Sequence, residues 1–207
     1  MNNIVNELCE QYDNETFANS VDKQLFLVGG ETPFLKAIKN KATNLGIYCT
    51  YKDRVDLNTT PTVVDTEVYK ELFHLISQQD IDKIQCDGIS CCANAILAFL
   101  TNIDIAGKNI TILGRGHAVK GLAEELMYCT DATVTVCHSK TRNLYESTLF
   151  ADILVVAAPV KPAQVSSLAG KIVIDVSGTF KGFVPKDRYV GNIGKLTTSI
   201  LLNRVVK

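Results

Sequence analysis

Long hydrophobic runs and basic clusters are both missing from this 207-residue sequence. No apolar stretch approaches the ~20 residues of a membrane-spanning helix, and the first residues lack the basic and apolar regions of a signal peptide. A formal net charge of −1 argues against nucleic acid or an anionic membrane as the main partner. We therefore expect a cytoplasmic protein that binds neither nucleic acid nor a membrane.

Disulfide and zinc-binding patterns are missing as well. The seven cysteines are odd in number and show no C-x-x-C spacing, so we expect neither a disulfide framework nor a metal site. No internal repeat or low-complexity segment is present. With 46% hydrophobic residues, the chain can form the core of one large or two small domains.

The most informative stretch, residues 107–141, predicts a strand, a glycine-rich turn, a helix and a second strand. Residues 109–113 are β-branched and apolar on both faces, as in a strand covered by helices on two sides. The turn is residues 114–121, the helix 122–128 and the second strand 132–136. Such a turn is where a dinucleotide diphosphate binds backbone N–H groups at a helix N-terminus. Because the spacing departs from G-x-G-x-x-G, a tight turn that only needs small residues is the alternative.

Hydroxyl and cationic side chains, rather than an acid, follow the second strand. No Asp or Glu stands where a carboxylate would bind the ribose 2′-hydroxyl; Ser139, Lys140 and Arg142 are found there, and Arg115 lies in the turn. Arg and Ser donate hydrogen bonds to phosphate oxygens, which a carboxylate would repel. The sequence therefore favours NADP as cofactor, with NAD as the alternative. In the simpler interpretation, Lys140 and Arg142 only begin a solvated helix.

The same stretch carries a family resemblance. Residues 132–141, Ala-Thr-Val-Thr-Val-Cys-His-Ser-Lys-Thr, together with Gly107-Lys108 and Gly114-Arg115, resemble the methylenetetrahydrofolate dehydrogenase/cyclohydrolase (FolD) family. The family's later blocks follow in the same order at residues 151–157, 174–176 and 190–197. The resemblance implies these cofactor-binding residues: Gly114, Arg115, Gly116, His117, Val119, His138, Ser139, Ala157, Pro159 and Thr197. Ser177-Gly178-Thr179 replaces the family's Gly-Ile-Asn, where the nicotinamide is expected.

The remaining pattern predicts secondary structure outside this stretch. Thr32-Pro33 has the form of an N-cap followed by proline at the first helical position, and Gly46 that of a helix C-cap. Residues 53–64 are polar and contain proline, which predicts a loop. We expect strands at residues 24–28 and 47–51, and helices at residues 3–12, 33–45, 65–79, 89–100 and 197–205.

The resemblance also implies a catalytic role for Lys39. In the family a Tyr precedes a catalytic Lys by four residues; Lys39 falls at the Lys position and Leu35 at the Tyr position, so Tyr48 and Tyr51 are candidate neighbours. The lysine would polarise the folate and assist proton transfer during ring closure and opening. Composition alone favours the alternative that Lys39 belongs to a solvated face of the helix with Lys36, Asn40 and Lys41, and only the resemblance favours the catalytic role.

Folate contacts are implied for Leu35, Asp87 and Ser90. Asp87-Gly88 looks like the end of the family's Lys-Asp-Val-Asp-Gly block, whose last Asp binds the pterin, but Asp87 is also a candidate turn or N-cap residue. Ser90 stands in the block that follows, which is only partly matched. The family's Gln-Leu-Pro-Leu-Pro strand has no counterpart, so this half of the chain is shortened.

Alternating strands and helices predict an α/β fold with a Rossmann-type doubly wound parallel sheet at residues 103–194 and a smaller, abbreviated N-terminal α/β lobe at residues 1–102. The resemblance implies that a C-terminal helix at residues 195–207 packs back on this lobe, and that the protein is a homodimer. The implied activity is NADP-dependent hydride transfer from 5,10-methylenetetrahydrofolate, a small-molecule folate substrate, with or without methenyltetrahydrofolate cyclohydrolase activity. The alternatives are a catalytically degenerate nucleotide-binding or regulatory protein, and a Rossmann reductase with another small substrate.

Overall fold

The structure, a computed structural model, describes residues 1–53, 62–64 and 88–207. These residues form two compact units. The first unit contains residues 1–8 and 92–197, and the second contains the described part of residues 9–91 together with residues 198–207. No helix within the described ranges is both long and apolar enough to cross a bilayer. The predicted helix at residues 65–79 lies outside the described residues.

The second unit contains a three-stranded parallel sheet. Its strands are β1 (Gln24–Val28), β2 (Tyr48–Lys52) and β3 (Thr62–Val64), in the order β2-β1-β3. Helix α1 spans Asn2–Ala18, of which residues 9–18 belong to this unit, and helix α2 spans Pro33–Asn44. The side chains of Leu25, Leu27, Leu35, Ile38 and Ala42 are fully buried and form the core between β1 and α2.

Both ends of α2 follow from the local sequence. The Oγ1 atom of Thr32 accepts a hydrogen bond from the amide of Leu35 at 3.3 Å, and Pro33 is the first helical residue. Leu45 ends the helix, and Gly46 follows with a φ of +80°, which glycine adopts without strain. The predicted N-cap and C-cap are therefore confirmed.

The first unit is built on a five-stranded parallel sheet with the order β6-β5-β7-β8-β9. The strands are β5 (Asn109–Leu113), β6 (Thr133–Cys137), β7 (Ile153–Val156), β8 (Ile172–Asp175) and β9 (Tyr189–Val190). Helices α4 (Leu122–Cys129) and α5 (Leu144–Leu149) connect β5 to β6 and β6 to β7. Because Ile110, Ile112 and Leu113 are all buried, the prediction of a strand covered on both faces is confirmed.

Strand order reverses at β5, because β6 pairs with one of its edges and β7 with the other. Leu113 at the end of β5 is in register with Cys137 on one side and with Val156 on the other. In open parallel sheets, the crevice outside the carboxyl ends of the strands at such a reversal is where ligands bind. The predicted Rossmann-type α/β fold is thus confirmed, and it defines where a site is expected.

Several element boundaries differ from the predictions. Helix α1 continues to Ala18, and the last helix, α6, spans Ile193–Val206 rather than beginning at Thr197. Ile89 and Ser90 form a short extended segment, β4, before helix α3 begins at Cys91 and runs to Leu100. The prediction of a loop at residues 53–64 was wrong for its last three residues, because Thr62–Val64 pairs with β1. That strand depends on a distant partner, which local composition does not show.

Candidate functional site

A pocket of about 510 Å³ lies at the carboxyl edge of the large sheet, where β5, β6 and β7 end. It is formed by residues from the loops that follow each of these three strands. The lining residues are Leu113, Gly114, Arg115, Cys137, His138, Ser139, Thr141, Arg142, Leu144, Ala158, Pro159, Val160 and Gln164. The pocket therefore occupies the point of strand reversal at which doubly wound folds bind nucleotides.

Gly114 is the residue at which the glycine turn leaves the sheet. Its amide donates to the carbonyl oxygen of Cys137 at 2.8 Å, and the amide of Ala157 donates to the carbonyl oxygen of Leu113 at 2.9 Å. A Cβ atom at Gly114 would lie 3.1 Å from the carbonyl carbon and oxygen of Ala157, at a φ of +118°. Both the close approach and the backbone conformation therefore require glycine at this position.

The amides available to an anion are those of the turn itself. The amide of Gly114 is already bonded within the sheet, whereas those of Arg115 and Gly116 have no hydrogen-bond partner among the described residues. A Cβ atom at Gly116 would have no atom within 4 Å, so the space beside this residue is open. A 3-10 turn at His117–Val119 lies between Gly116 and the next α-helix.

Helix α4 begins only after Gly121, which has a φ of +80°. The amides of Arg115 and Gly116 therefore lie before the helix N-terminus at which the sequence predicts an anion site.

Cationic and hydroxyl groups surround the pocket, and none of its lining residues is acidic. Arg115, Ser139 and Arg142 line it, whereas Lys140 is exposed and is not a lining residue. Asn143 caps helix α5, since its side-chain oxygen accepts a hydrogen bond from the amide of Glu146 at 3.2 Å. Lys140 and Arg142 therefore precede the helix, and the interpretation that they begin it is wrong.

A closed turn at residues 138–141 presents Ser139. The amide of His138 donates to Oγ1 of Thr141 at 2.9 Å, and the amide of Thr141 donates to the carbonyl oxygen of His138 at 2.9 Å. The amide of Lys140 donates to Nδ1 of His138 at 3.2 Å, which adds a third hydrogen bond to this turn. The role of Thr141 in this turn was not predicted, although a threonine whose hydroxyl bonds to a nearby backbone group is a sequence signal for a turn.

Several predicted cofactor-binding residues lie outside the pocket lining. His117 is half-buried in the 3-10 turn, where burial and the charge of Lys120 lower its pKa. Val119 is buried, and Ala157 follows β7 directly. Thr197 donates its hydroxyl to the carbonyl oxygen of Ile193 at 2.8 Å within helix α6. The roles of these four residues and of Gly116 stay predictions.

Asp175, at the end of β8, was not predicted to have a role. Its carboxylate accepts hydrogen bonds from the Ser177 hydroxyl at 2.9 Å and from the amides of Gly178 and Phe180, both at 2.8 Å. The Tyr189 hydroxyl also donates to it at 3.2 Å, and burial together with this carboxylate raises the pKa of Tyr189. Asp175 therefore fixes the segment 177–180.

The segment 177–180 also contacts the pocket wall. The Thr179 hydroxyl donates to the carbonyl oxygen of Val160 at 3.0 Å, and Val160 is one of the residues that line the pocket. An aspartate followed one residue later by Ser-Gly-Thr is a turn signature that could have identified Asp175 from the sequence.

In the second unit, Lys39 is half-buried rather than part of a solvated face. Its Nζ atom lies 4.5 Å from the centroid of the Tyr51 ring. Its neighbours on α2 are paired differently: Lys36 lies 3.1 Å from Glu31, and Lys41 lies 3.0 Å from Asp13. Of the two tyrosines expected near Lys39, the structure thus brings Tyr51 to it, while Tyr48 is 68% exposed.

Two of the predicted folate-contact residues have almost no surface that a ligand could contact. Leu35 is fully buried in the core of the second unit, and Ser90 is 2% exposed. Asp87 lies outside the described residues. No group of three His, Cys, Asp or Glu side chains within the described ranges is arranged to hold a metal ion.

Together, the sheet order and the cationic pocket define a nucleotide-binding α/β protein of the Rossmann type. The family model of the tetrahydrofolate dehydrogenase/cyclohydrolase NAD(P)-binding domain matches residues 90–194. The chain belongs to this family, which confirms the resemblance seen in the sequence.

Similar proteins extend the comparison. The bifunctional protein FolD of Clostridium beijerinckii is 38% identical over 135 residues, covering 55% of this chain and 47% of the relative. The FolD protein of Thermosipho africanus is 38% identical over 135 residues, with 56% and 50% covered. This chain thus spans about half the length of these curated relatives.

Two solved structures share the fold. FolD of Campylobacter jejuni has a TM-score of 0.69 at 21% identity, with 99% of this chain and 95% of that chain covered. FolD of Trypanosoma brucei, described as complexed with NADP cofactor and inhibitor, has a TM-score of 0.72 at 19% identity, with 99% and 94% covered.

Proposed function

We propose that this protein is an NADP-dependent methylenetetrahydrofolate dehydrogenase. The observation that carries the proposal is the pocket at the strand reversal, whose lining contains Arg115, Ser139 and Arg142 and no carboxylate. The family match and the NADP described in the Trypanosoma brucei structure support the same cofactor. NAD lacks the 2′-phosphate that this set of donors suits, so it is the weaker alternative.

The donor chemistry of the pocket fits NADP. Arg115, Ser139 and Arg142 would hold the 2′-phosphate, since guanidinium and hydroxyl groups donate to phosphate oxygens. The amides of Arg115 and Gly116 would hold the diphosphate beside the open space at Gly116. The segment 177–180, fixed by Asp175, would contact the nicotinamide.

The reaction proposed is a hydride transfer. Bound NADP would supply the nicotinamide C4 as acceptor for the hydride of the methylene bridge of 5,10-methylenetetrahydrofolate, which would become 5,10-methenyltetrahydrofolate. The chain contributes position, because holding two reactants in contact can supply several kcal/mol, up to about 7–11 kcal/mol in the best cases. The rigid turn at residues 138–141 and the Asp175-bound segment are the elements that would provide this orientation.

Cyclohydrolase activity is a second reaction that we include in the proposal, and it would depend on Lys39. In that step water adds to the methenyl carbon, the ring opens, and 10-formyltetrahydrofolate and a proton are released. Lys39 would assist the proton transfers from its position over the Tyr51 ring. Asp87, Ser90 and Leu35 are the proposed folate contacts. We further propose that the protein acts in the cytoplasm as a homodimer, as the resemblance implies.

The test is a spectrophotometric assay with 5,10-methylenetetrahydrofolate and each nicotinamide cofactor, alongside calorimetry of NADP binding. We expect reduction of NADP, and a Lys39→Ala protein that keeps the dehydrogenase reaction but loses most ring opening. Absence of reduction with either cofactor, despite measurable NADP binding, would contradict the proposal. That result would instead favour a nucleotide-binding or regulatory member of the family.

A further inference from the structure

The Lys39 site contains a second polar group whose function the fold does not explain. We propose that Tyr51 acts with Lys39: its ring holds the lysine ammonium, and its hydroxyl donates a hydrogen bond to a carbonyl or amide oxygen of the substrate. This inference rests on the proposed function, which makes the ligand a folate, and it identifies the residue that completes the lysine site.

The ring of Tyr51 provides the contact that holds Lys39. A cation within about 6 Å of an aromatic centroid is attracted to the ring face, and the Nζ atom of Lys39 lies 4.5 Å from this centroid. Within the described residues, no carboxylate forms an ion pair with Lys39, whereas Lys36 and Lys41 on the same helix each have one. The aromatic ring is therefore the group that distinguishes Lys39 from its neighbours.

The Cys49 thiol does not provide a negative charge for Lys39 in place of a carboxylate. Residues 49 and 51 lie on the same face of β2, because side chains alternate along a strand. Burial raises the pKa of Cys49 to about 11, although the charge of Lys39 lowers it in part. The thiol is thus neutral at physiological pH and does not form an ion pair with Lys39.

The hydroxyl of Tyr51 is a buried polar group that has no hydrogen-bond partner among the described residues. Its oxygen is screened from solvent and makes no hydrogen bond with any residue in the part of the chain that the structure describes. Buried polar atoms without a partner are rare in folded proteins and call for an explanation, such as a ligand that satisfies them. Burial also raises the pKa of Tyr51, so its hydroxyl is a neutral donor at physiological pH.

The chemistry of the pair indicates what it would bind. The Lys39 ammonium can only donate hydrogen bonds, and the neutral Tyr51 phenol can donate one. Two donors on adjacent side chains suit an acceptor oxygen, and the ring carbonyl of a reduced pterin is such an oxygen. Removing the hydroxyl should weaken binding of the substrate, whereas removing the ring should misplace Lys39 and slow the chemical step.

Three variants separate these roles. Tyr51→Phe keeps the ring and removes the hydroxyl, Tyr51→Leu removes both, and Tyr48→Phe is the control, because Tyr48 lies on the other face of β2 and is exposed. We expect Tyr51→Phe to raise KM for the folate about tenfold with little change in kcat. Tyr51→Leu should also lower kcat of ring opening, and Tyr48→Phe should match the wild type.

A direct measurement of the contact does not depend on turnover. The ε-methylene protons of Lys39, assigned by NMR through the Lys39→Arg variant, should be shifted upfield by the ring current in the wild type and in Tyr51→Phe. The shift should disappear in Tyr51→Leu. Because Tyr51→Phe is nearly isosteric, it tests the hydroxyl even where Tyr51→Leu does not fold.

The outcomes distinguish this inference from the proposed function. A wild-type protein that neither binds folic acid in calorimetry nor turns over methylenetetrahydrofolate would remove the proposed function. Equal folate affinity and KM in wild type and Tyr51→Phe would overturn the assignment of the hydroxyl alone. An absent ring-current shift at Lys39 in the wild type would overturn the contact between the two residues.

Discussion

The amide of Gly114 donates to the carbonyl oxygen of Cys137 at 2.8 Å, so strands β5 and β6 stay paired into the first residue of the glycine turn. This bond directs the turn between the ends of β6 and β7, where the pocket opens. It also means that the diphosphate would be held by the amides that follow, those of Arg115 and Gly116. The position and the backbone conformation of Gly114 thus determine the shape of the site.

Gly114→Ala should destabilise the fold, whereas Gly116→Ala should not. The new methyl group at Gly114 would meet the carbonyl of Ala157 at 3.1 Å at a φ of +118°, while at Gly116 nothing lies within 4 Å. We expect the free energy of unfolding to fall by about 2–4 kcal/mol for Gly114→Ala and by less than about 0.5 kcal/mol for Gly116→Ala. Urea denaturation measures both values, and equal losses would contradict this packing.

Arg142→Ala should weaken NADP binding, whereas Lys140→Ala should change it little. Arg142 lines the pocket, and Lys140, two residues earlier, does not. The loss of a charge-assisted hydrogen bond to a phosphate corresponds to about a 10- to 100-fold increase in Kd. Calorimetric titration with NADP provides the comparison, and a Lys140→Ala effect as large as that of Arg142→Ala would show that only net charge matters.

Asp175→Asn should loosen the segment 177–180. The Gly178 amide bonds to one carboxylate oxygen and the Phe180 amide to the other, so the amide nitrogen of an asparagine would face one of these two donors. We expect a loss of about 2 kcal/mol in the free energy of unfolding and a lower kcat for hydride transfer. Tyr189→Phe removes only one of these bonds, at 3.2 Å, and is the matched control. A kcat equal to that of the wild type would mean that this segment does not position the nicotinamide.

Acid should destabilise the protein in part through His117. Burial and Lys120 lower the pKa of His117 in the folded state, so below the ordinary pKa of about 6.5 the unfolded chain binds more protons. The stabilisation from neutral His117 is therefore complete above about pH 6.5 and is lost as the pH falls through the lowered value. His117→Gln should show a smaller loss of stability between about pH 7.5 and 5.5. A pH dependence identical to that of the wild type would argue against a lowered pKa.

Elements determined by local chemistry could be predicted from the sequence. Strand β1 and the caps of α2 depend on residues next to one another, and their positions were predicted closely. Strand β3 was not, because Thr62–Val64 becomes a strand only by pairing with β1. The start of α4 at Leu122 was predicted, but the 3-10 turn at His117–Val119 was not, since the glycine pattern indicates a turn but not the conformation within it.

In the candidate site, too, features set by local sequence were predicted and features set by distant contacts were not. Arg115 and Ser139 follow predicted strands, and the pocket contains both. The contact between Thr179 and Val160 joins loops that follow different strands, and no local pattern indicates it. The tyrosine next to Lys39 depends on which face of β2 meets helix α2, so the sequence alone left Tyr48 and Tyr51 as equal candidates.

The most direct test of the central claim is the effect of Arg115→Ala on kcat/KM for NADP and for NAD with 5,10-methylenetetrahydrofolate as substrate. If Arg115 holds the 2′-phosphate, kcat/KM for NADP should fall about 10- to 100-fold, while kcat/KM for NAD should change by less than about threefold. Equal losses with the two cofactors would contradict the 2′-phosphate site, and no turnover of either cofactor by the wild-type protein would contradict the proposed activity.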